Sequence, residues 1–406
     1  MRVRHWAVVG LAAALCVMGG AGGADPLERG SVARLPTELG RQVWVTDRVL
    51  AHSVLVDGDS GEVLGMVDSG STITPKPPLY SPSRGEFYSA EIAYSRFRRG
   101  ERVDYVTIYD AETLAVKGEV VFPTRAAESN SSVAHTALLD EERFLGVFNQ
   151  FPNTSVSVVD LESRSFAGEI IVTGCAGVYA VGPQRFAMLC GDGTVVVVTL
   201  DGAGRKSGLV RGEQFFDPVA DPAFMQAARV GTRWVFVTFE GQVHEVDFAS
   251  GAPVAAEPWS LFGDAGAADG WRVGGLQHVA AHAPTERLYT VMHEGGAGTH
   301  KAPGPEVWVH DLETGARVGT FEMPNLAATF LVGTLRLDPD GTAAWLLEWL
   351  LPNQGVHTIA VTGGAAPLLF ARNAELGALA VLDAQTGEHL RSVADLGLAG
   401  PSLVVP

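Results

Sequence analysis

Apolar and polar side chains alternate along most of this chain in short runs, and the period of the alternation is two rather than 3.6. The stretch from Val307 to Gly319 shows the unit: Val307 and Val309 alternate with Trp308 and His310, an acidic turn follows at Asp311, and a second apolar run starts at Val318. A period of two predicts a half-buried strand. Glu313-Thr314-Gly315 is turn chemistry, with the glycine free to take positive φ. The stretch is a predicted hairpin.

The same hairpin recurs. Aligned on the turn acid, seven copies are centred at Asp57, Asp110, Asp160, Asp201, Asp247, Asp311 and Asp383. The first four steps are each roughly 40–50 residues, a period that with strands and turns marks a propeller. Seven copies fall within the usual range of roughly four to eight blades. The pattern predicts an all-β, seven-bladed β-propeller, with 25–406 as one domain. Before the first hairpin only one strand is evident, Gln42 to Val45, whereas later hairpins are preceded by two. A spare apolar stretch, Leu403-Val404-Val405, ends the chain. It is expected to pair beside Val43-Trp44-Val45 and close the ring.

The last two steps are longer. Residues 259–275 and the stretch from Met292 to Pro305 expand one, and the run Trp345 to Leu351 lies in the other. Loops carry function more often than scaffold does, so all three are candidate contact regions. By density of apolar residues, however, the Trp345 run is expected to be a buried strand.

The start of the chain departs from the alternation. Basic Arg2 and Arg4 precede an apolar run from Ala7 to Met18 and small residues to Ala24. The run is too short for a bilayer and has the form of a secretory signal peptide over 1–24. Cys16, preceded by Leu15 rather than a small residue, is then lost with the signal. The mature chain is expected to be exported and soluble. Two cysteines remain, Cys175 and Cys190. An isolated pair in an oxidising compartment should be joined, here in a structural role; a redox-active pair would more often be spaced Cys-x-x-Cys. The formal charge of −17 makes nucleic acid and anionic membranes poor partners and suits a basic partner or simple solubility.

Catalytic signatures are scarce. The sequence has no Gly-x-Ser-x-Gly elbow, phosphate loop, dinucleotide fingerprint or His-Glu-x-x-His. His278 and His282 share one face of a strand, but two histidines without a third ligand make a weak zinc site. Seven equivalent turn acids are architecture. Glu294, His300 and Lys301 gather in a glycine-rich loop that could touch a partner, with a solvated loop as the plain alternative. The residues alone describe an exported propeller without catalytic apparatus of its own.

Several stretches resemble the heavy (large) subunit of bacterial quinoprotein amine dehydrogenases, the methylamine and aromatic amine dehydrogenase family. They are Tyr94-Ser95-Arg96-Phe97-Arg98-Arg99-Gly100-Glu101-Arg102-Val103-Asp104-Tyr105, Asp269 to Gly275, His293 to Lys301, and Gly387 to Val393. The resemblance implies a periplasmic seven-bladed propeller with one internal disulfide, matched by Cys175 and Cys190. It implies assembly of two large and two small chains, with tryptophan tryptophylquinone made in the small partner subunit from its own tryptophans. A primary amine is then oxidised to aldehyde and ammonia, and electrons pass to a cupredoxin. No catalytic, metal or cofactor-binding residue is expected on this chain, whose eight tryptophans belong to the subunit that lacks the quinone. Its role would be a wall of the substrate channel and a dock that excludes water. In the family the loop between Val45 and Val54 helps gate that channel; it is shorter here, with Val49 and Leu50 at the gating position, which leaves the amine open. Trp271, Arg272, Glu294, His300 and Lys301 are the other expected partner or channel contacts. The competing reading is a stand-alone periplasmic propeller that binds a ligand or protein without chemistry.

Overall fold

Each acid of the repeat caps its own turn. In a computed structural model, which describes residues 34–70, 74–129, 132–263, 270–400 and 402–406, the carboxylate of Asp57 accepts from the backbone N–H of Asp59 and Ser60. Asp110 accepts from Glu112 and Thr113, and Asp160 from Glu162 and Ser163. Asp201, Asp247, Asp311 and Asp383 do the same in their own turns. Local side-chain-to-backbone bonds of this kind favour turns over strand continuation, which is why the chain reverses at these seven points. The signal-peptide residues lie outside the described residues. Among the described residues no helix is long and apolar enough to cross a membrane.

Seven antiparallel sheets of four or five strands result, all within one compact unit, Leu35–Pro406. The innermost strands are Ser402–Val404, Leu79–Ser81, Thr136–Leu139, Cys175–Ala180, Ala223–Val230, Val279–His282 and Thr358–Val361, and they neighbour one another around the centre. Seven apolar clusters fill the spaces between adjacent blades. One joins Val158 and Phe144 of the third blade to Phe186 and Met188 of the fourth. Another joins Val43, Val45 and Leu403 of the first to Phe370 and Val381 of the last. Cys175 and Cys190 face each other across neighbouring strands of the fourth blade and are bonded.

The expectation of a ring closed by the C-terminal strand needs correction. The strand Ser402–Val404 does pair with Gln42–Asp47, placing Trp44 opposite Val404 and Val45 opposite Leu403. That pairing makes it the innermost of the four strands of the first blade, and no sheet is closed on itself by hydrogen bonds: the hydrogen-bonded ladders are seven separate open sheets. The reason lies in how blades meet. They stack face to face, so side chains pack between them while backbone edges point inward and outward. First and last blades are therefore joined by the packing of Leu403 against its apolar neighbours, and by Gln277 of the sixth blade, whose amide bonds the N–H and the C=O of Leu403 and also the C=O of Ile359 in the last blade.

The apolar run at Trp345 is a second correction. It is the helix Thr342–Leu350, packed on the helix Leu326–Thr334, and not a buried strand. Trp345 and Trp349 are 64% and 72% exposed.

Candidate functional site

In six blades the chain runs from the inner strand outward, and in the first it runs outward from the second strand, the inner one being Ser402–Val404. Two kinds of connection therefore share one face: those between the second and third strands, and those from an outer strand to the next inner one. The capped Asp turns, between third and fourth strands, lie on the opposite face. The insertions belong to the first face: residues 259–263 and 270–275, the loop from Met292 to Pro305, and the two helices. So do most of the large apolar side chains exposed outside the outer strands, including Val49, Leu50, Phe97 (75% exposed), Phe151, Val219 and the helical tryptophans.

A cavity of about 740 Å³ opens on this face. Arg48 and Val49 enter it from the first blade and Arg98 from the second. Phe224, Met225 and Gln226 come from the inner strand of the fifth, and Leu276, His300 and Lys301 from the sixth. Its aromatic side is one contiguous cluster: the Phe224 and Phe239 centroids are 4.6 Å apart, and the His300 ring stacks on Phe239 at 3.9 Å and 14°. His278 lies behind Phe224 at 3.9 Å. It is fully buried, which depresses its pKa to about 3 and keeps it neutral. Burial also lowers His300, helped by the neighbouring Lys301 charge.

The loop carrying Val49 and Leu50 is fastened from below. One oxygen of Asp47 accepts from the N–H of Val49 and of Leu50, each at 2.7 Å. The other accepts from Leu398 and, at 2.9 Å, from Ala399. Burial of Asp47 works to raise its pKa, but the four backbone donors prevail and hold it below the usual carboxylate range. Gly397 passes so close that a Cβ there would sit 2.2 Å from the Asp47 carboxylate, and its φ is +94°; only glycine suits both demands. Beneath, the buried Arg372 guanidinium donates to the carbonyls of Thr46 and Leu396 at 3.1 and 3.3 Å. Burial takes its pKa down to about 10, with Asp47 opposing.

The motif from Tyr94 to Tyr105 forms the tip of a long hairpin, Glu86–Arg96 and Arg99–Asp110. A third strand joins it only from Asp104 onward, so the tip projects from the face. Arg102 forks onto Asp104 at 2.7 and 2.6 Å and reaches Glu128 at 3.1 Å. Tyr94 donates to Glu128 at 2.9 Å. This network at the root of the tip holds Arg96, Arg98 and Arg99 out from the blade.

The structure thus brings together some expected residues and separates others. Val49, His300 and Lys301 line the one cavity, whereas Leu50, next to Val49 and exposed, does not. Arg272 lines a smaller neighbouring cavity and faces Glu240 at 3.8 Å. Trp271 packs in its own blade against Trp308, with centroids 5.4 Å apart. Glu294 sits across the strand pair from Trp271, away from the main cavity. His278 and His282 do not converge: His282 is satisfied by Thr285 and the Gly364 carbonyl at 2.7 and 2.9 Å. Among the described residues no group of three or more His, Cys, Asp or Glu is placed to hold a metal. Arg48, Phe224, Gln226 and Phe239 were missed, since nothing in the repeat marks them; Arg98 stood inside the quoted motif without a role.

Comparison with known proteins bears on what this face serves. Among solved structures, the fold is shared with a protein of unknown function from Desulfotomaculum acetoxidans (TM-score 0.56, 12% identity, 90% of this chain and 98% of that one). It is shared too with a dihydro-heme d1 dehydrogenase (TM-score 0.54, 16% identity, 93% and 78%). At these identities only the architecture is common. Sequence similarity is more specific. The chain is 28% identical over 383 residues to the methylamine dehydrogenase heavy chain of Paracoccus versutus, covering 92% of this chain and 81% of that one. It is 28% identical over 375 residues to that of Methylorubrum extorquens, covering 90% and 82%. The model of the methylamine dehydrogenase heavy-chain family matches residues 40–332, a span that holds the hairpin tip, the Val49 loop and the cavity walls. The chain belongs to the methylamine dehydrogenase heavy-chain family.

Proposed function

We propose that this chain is the large subunit of a periplasmic amine dehydrogenase, exported by a signal peptide over 1–24 and assembled as two large and two small chains. The small partner subunit carries tryptophan tryptophylquinone, which supplies the two-electron chemistry. Overall, a primary ammonium and water yield aldehyde, ammonium, two protons and two electrons, and the electrons leave through a cupredoxin. The one contacting pair of tryptophan rings among the described residues, Trp271 and Trp308, does not suit the quinone role. Trp308 is buried, with its N–H on Glu306 at 2.8 Å and the Arg317 guanidinium 4.1 Å over its ring, and Trp271 packs against it partly buried.

The observation that carries this reading is the gathering of exposed apolar side chains and all the insertions on the face that holds the cavity. Large apolar patches on one side of a propeller mark a protein interface. What this chain contributes is position and exclusion of water. Val49 and Leu50, fixed by Asp47, form an apolar lip, and Phe224 and Phe239 a dry wall, beside which an amine can be held away from bulk solvent. Trp271, Arg272, Glu294, His300 and Lys301 complete the proposed contact set. The test is to produce the chain alone and with its small partner, and to assay dye reduction by methylamine and by tyramine. Activity is expected only in the presence of the small chain. Turnover by the isolated chain would overturn the subunit reading, and failure of any small partner to bind would favour a stand-alone propeller.

A further inference from the structure

The cavity is basic on an acidic protein. The chain carries 46 acidic and 29 basic residues, yet among the described residues the cavity lining includes Arg48, Arg98 and Lys301 and no carboxylate. Among the described residues none of these three cations is in an ion pair, whereas Arg41, Arg102, Arg211, Arg233 and Arg287 each have an acidic partner. The positive charge extends past the rim. Arg98 lies between Arg96 and Arg99 on the projecting tip, all three exposed, with Glu101 the one nearby acid in the turn. Inside the cavity Gln226, only 7% exposed, keeps its side-chain carbonyl oxygen without a partner.

We infer that the small partner subunit meets this face with an acidic segment, seating its carboxylates among Arg48, Arg98 and Lys301. This rests on the subunit reading above and adds the chemistry of the contact. Two features favour an acidic protein segment over a small anion. The cations continue from the cavity onto a hairpin tip outside it, farther than a single small ligand reaches. They also alternate with apolar side chains, Val49, Leu50 and Phe97, the mixture of anchors and charged rim found at protein interfaces. On a chain of charge −17, an uncompensated basic patch makes this face complementary to acidic partners. Gln226 then offers its amide to a backbone or side-chain donor of the inserted segment.

The experiment measures binding of the purified small, quinone-bearing chain to this chain at about 50 and about 500 mM salt, for the wild type, R48E/R98E/K301E and R48K/R98K. Screening of exposed charge pairs should weaken wild-type binding by roughly tenfold or more at the higher salt. The charge-reversed variant should bind at least roughly thirtyfold more weakly at low salt and lose most of its salt dependence, while the lysine variant stays within about threefold of wild type. Circular dichroism melts establish that all three proteins are folded. Binding that is insensitive to salt and to charge reversal overturns the acidic-segment inference while leaving the subunit reading intact. If the folded wild type does not bind the small chain at all, both fall.

Discussion

Asp47 ties two distant parts of the chain at the cavity mouth, and replacing it by asparagine tests how that mouth is held. In D47N the side chain keeps its shape but one of its two oxygens becomes an NH2 group. Two of the four backbone N–H groups, either those of Val49 and Leu50 or those of Leu398 and Ala399, then face a donor. Hydrogen bonds to a charged group contribute about 1.5–3 kcal/mol each. Two lost bonds, less the relief of no longer burying a carboxylate, come to a cost of about 2–4 kcal/mol. Unfolding entropy of about 2.1 cal/mol/K per residue over a unit of this size makes that a fall in Tm of about 3–5 °C. The more specific readout is hydrogen exchange, which should accelerate at 48–50 or 397–399 and leave the blades unchanged. The acid limb of stability gives a third. The folded pKa of Asp47 is depressed, so its contribution is present above the unfolded value of about 3.9 and is lost as pH falls through the folded value. D47N should remove that part of the acid-induced loss. Unchanged melting together with unchanged exchange in both segments would refute the account.

Three further outcomes are expected. Deleting Ser402 to Pro406 removes the pairing with Gln42–Asp47, the two bonds to Gln277 and the buried Leu403; Leu403 burial alone is worth about 2–4 kcal/mol, so a clear fall in Tm should follow, and unaltered calorimetry would contradict it. C175A/C190A opens a bridge of sequence separation 15 and should cost about 3 kcal/mol in the chain-entropy model, read as a lower urea midpoint than that of the oxidised wild type. W345S/W349S changes two exposed side chains; stability of the isolated chain should stay within about 0.5 kcal/mol while binding of the small chain weakens, and a loss of stability above about 2 kcal/mol would show the tryptophans to be packed.

Much of the architecture was legible in the sequence because its causes are local. A turn acid such as Asp160 bonds N–H groups two and three residues on, and strand alternation needs only neighbours in sequence, so seven hairpins and their order follow from spacing. The hairpin motif around Arg102 was specific enough to point to the family for a similar reason, being contiguous. The Trp345 run was misjudged because a short, dense apolar stretch suits a buried strand and a helix alike; its solvent-facing helical form depends on packing against the helix Leu326–Thr334. The partner of the C-terminal strand was legible, and Leu403 does pair with Val45; how the ring is held was not, since spacing shows a spare strand but not that blades join by side-chain packing rather than by a continuous ladder. Least visible of all was the cavity. Arg48, Arg98, Gln226 and Lys301 lie in separate blades, and no pattern along the chain relates them. Asp47 and Leu398 are joined only because the ends of the chain share one blade. Residues brought together by the circular return of the chain can be known only from the tertiary structure, because the contact that makes them a site is made across the ring and not along it.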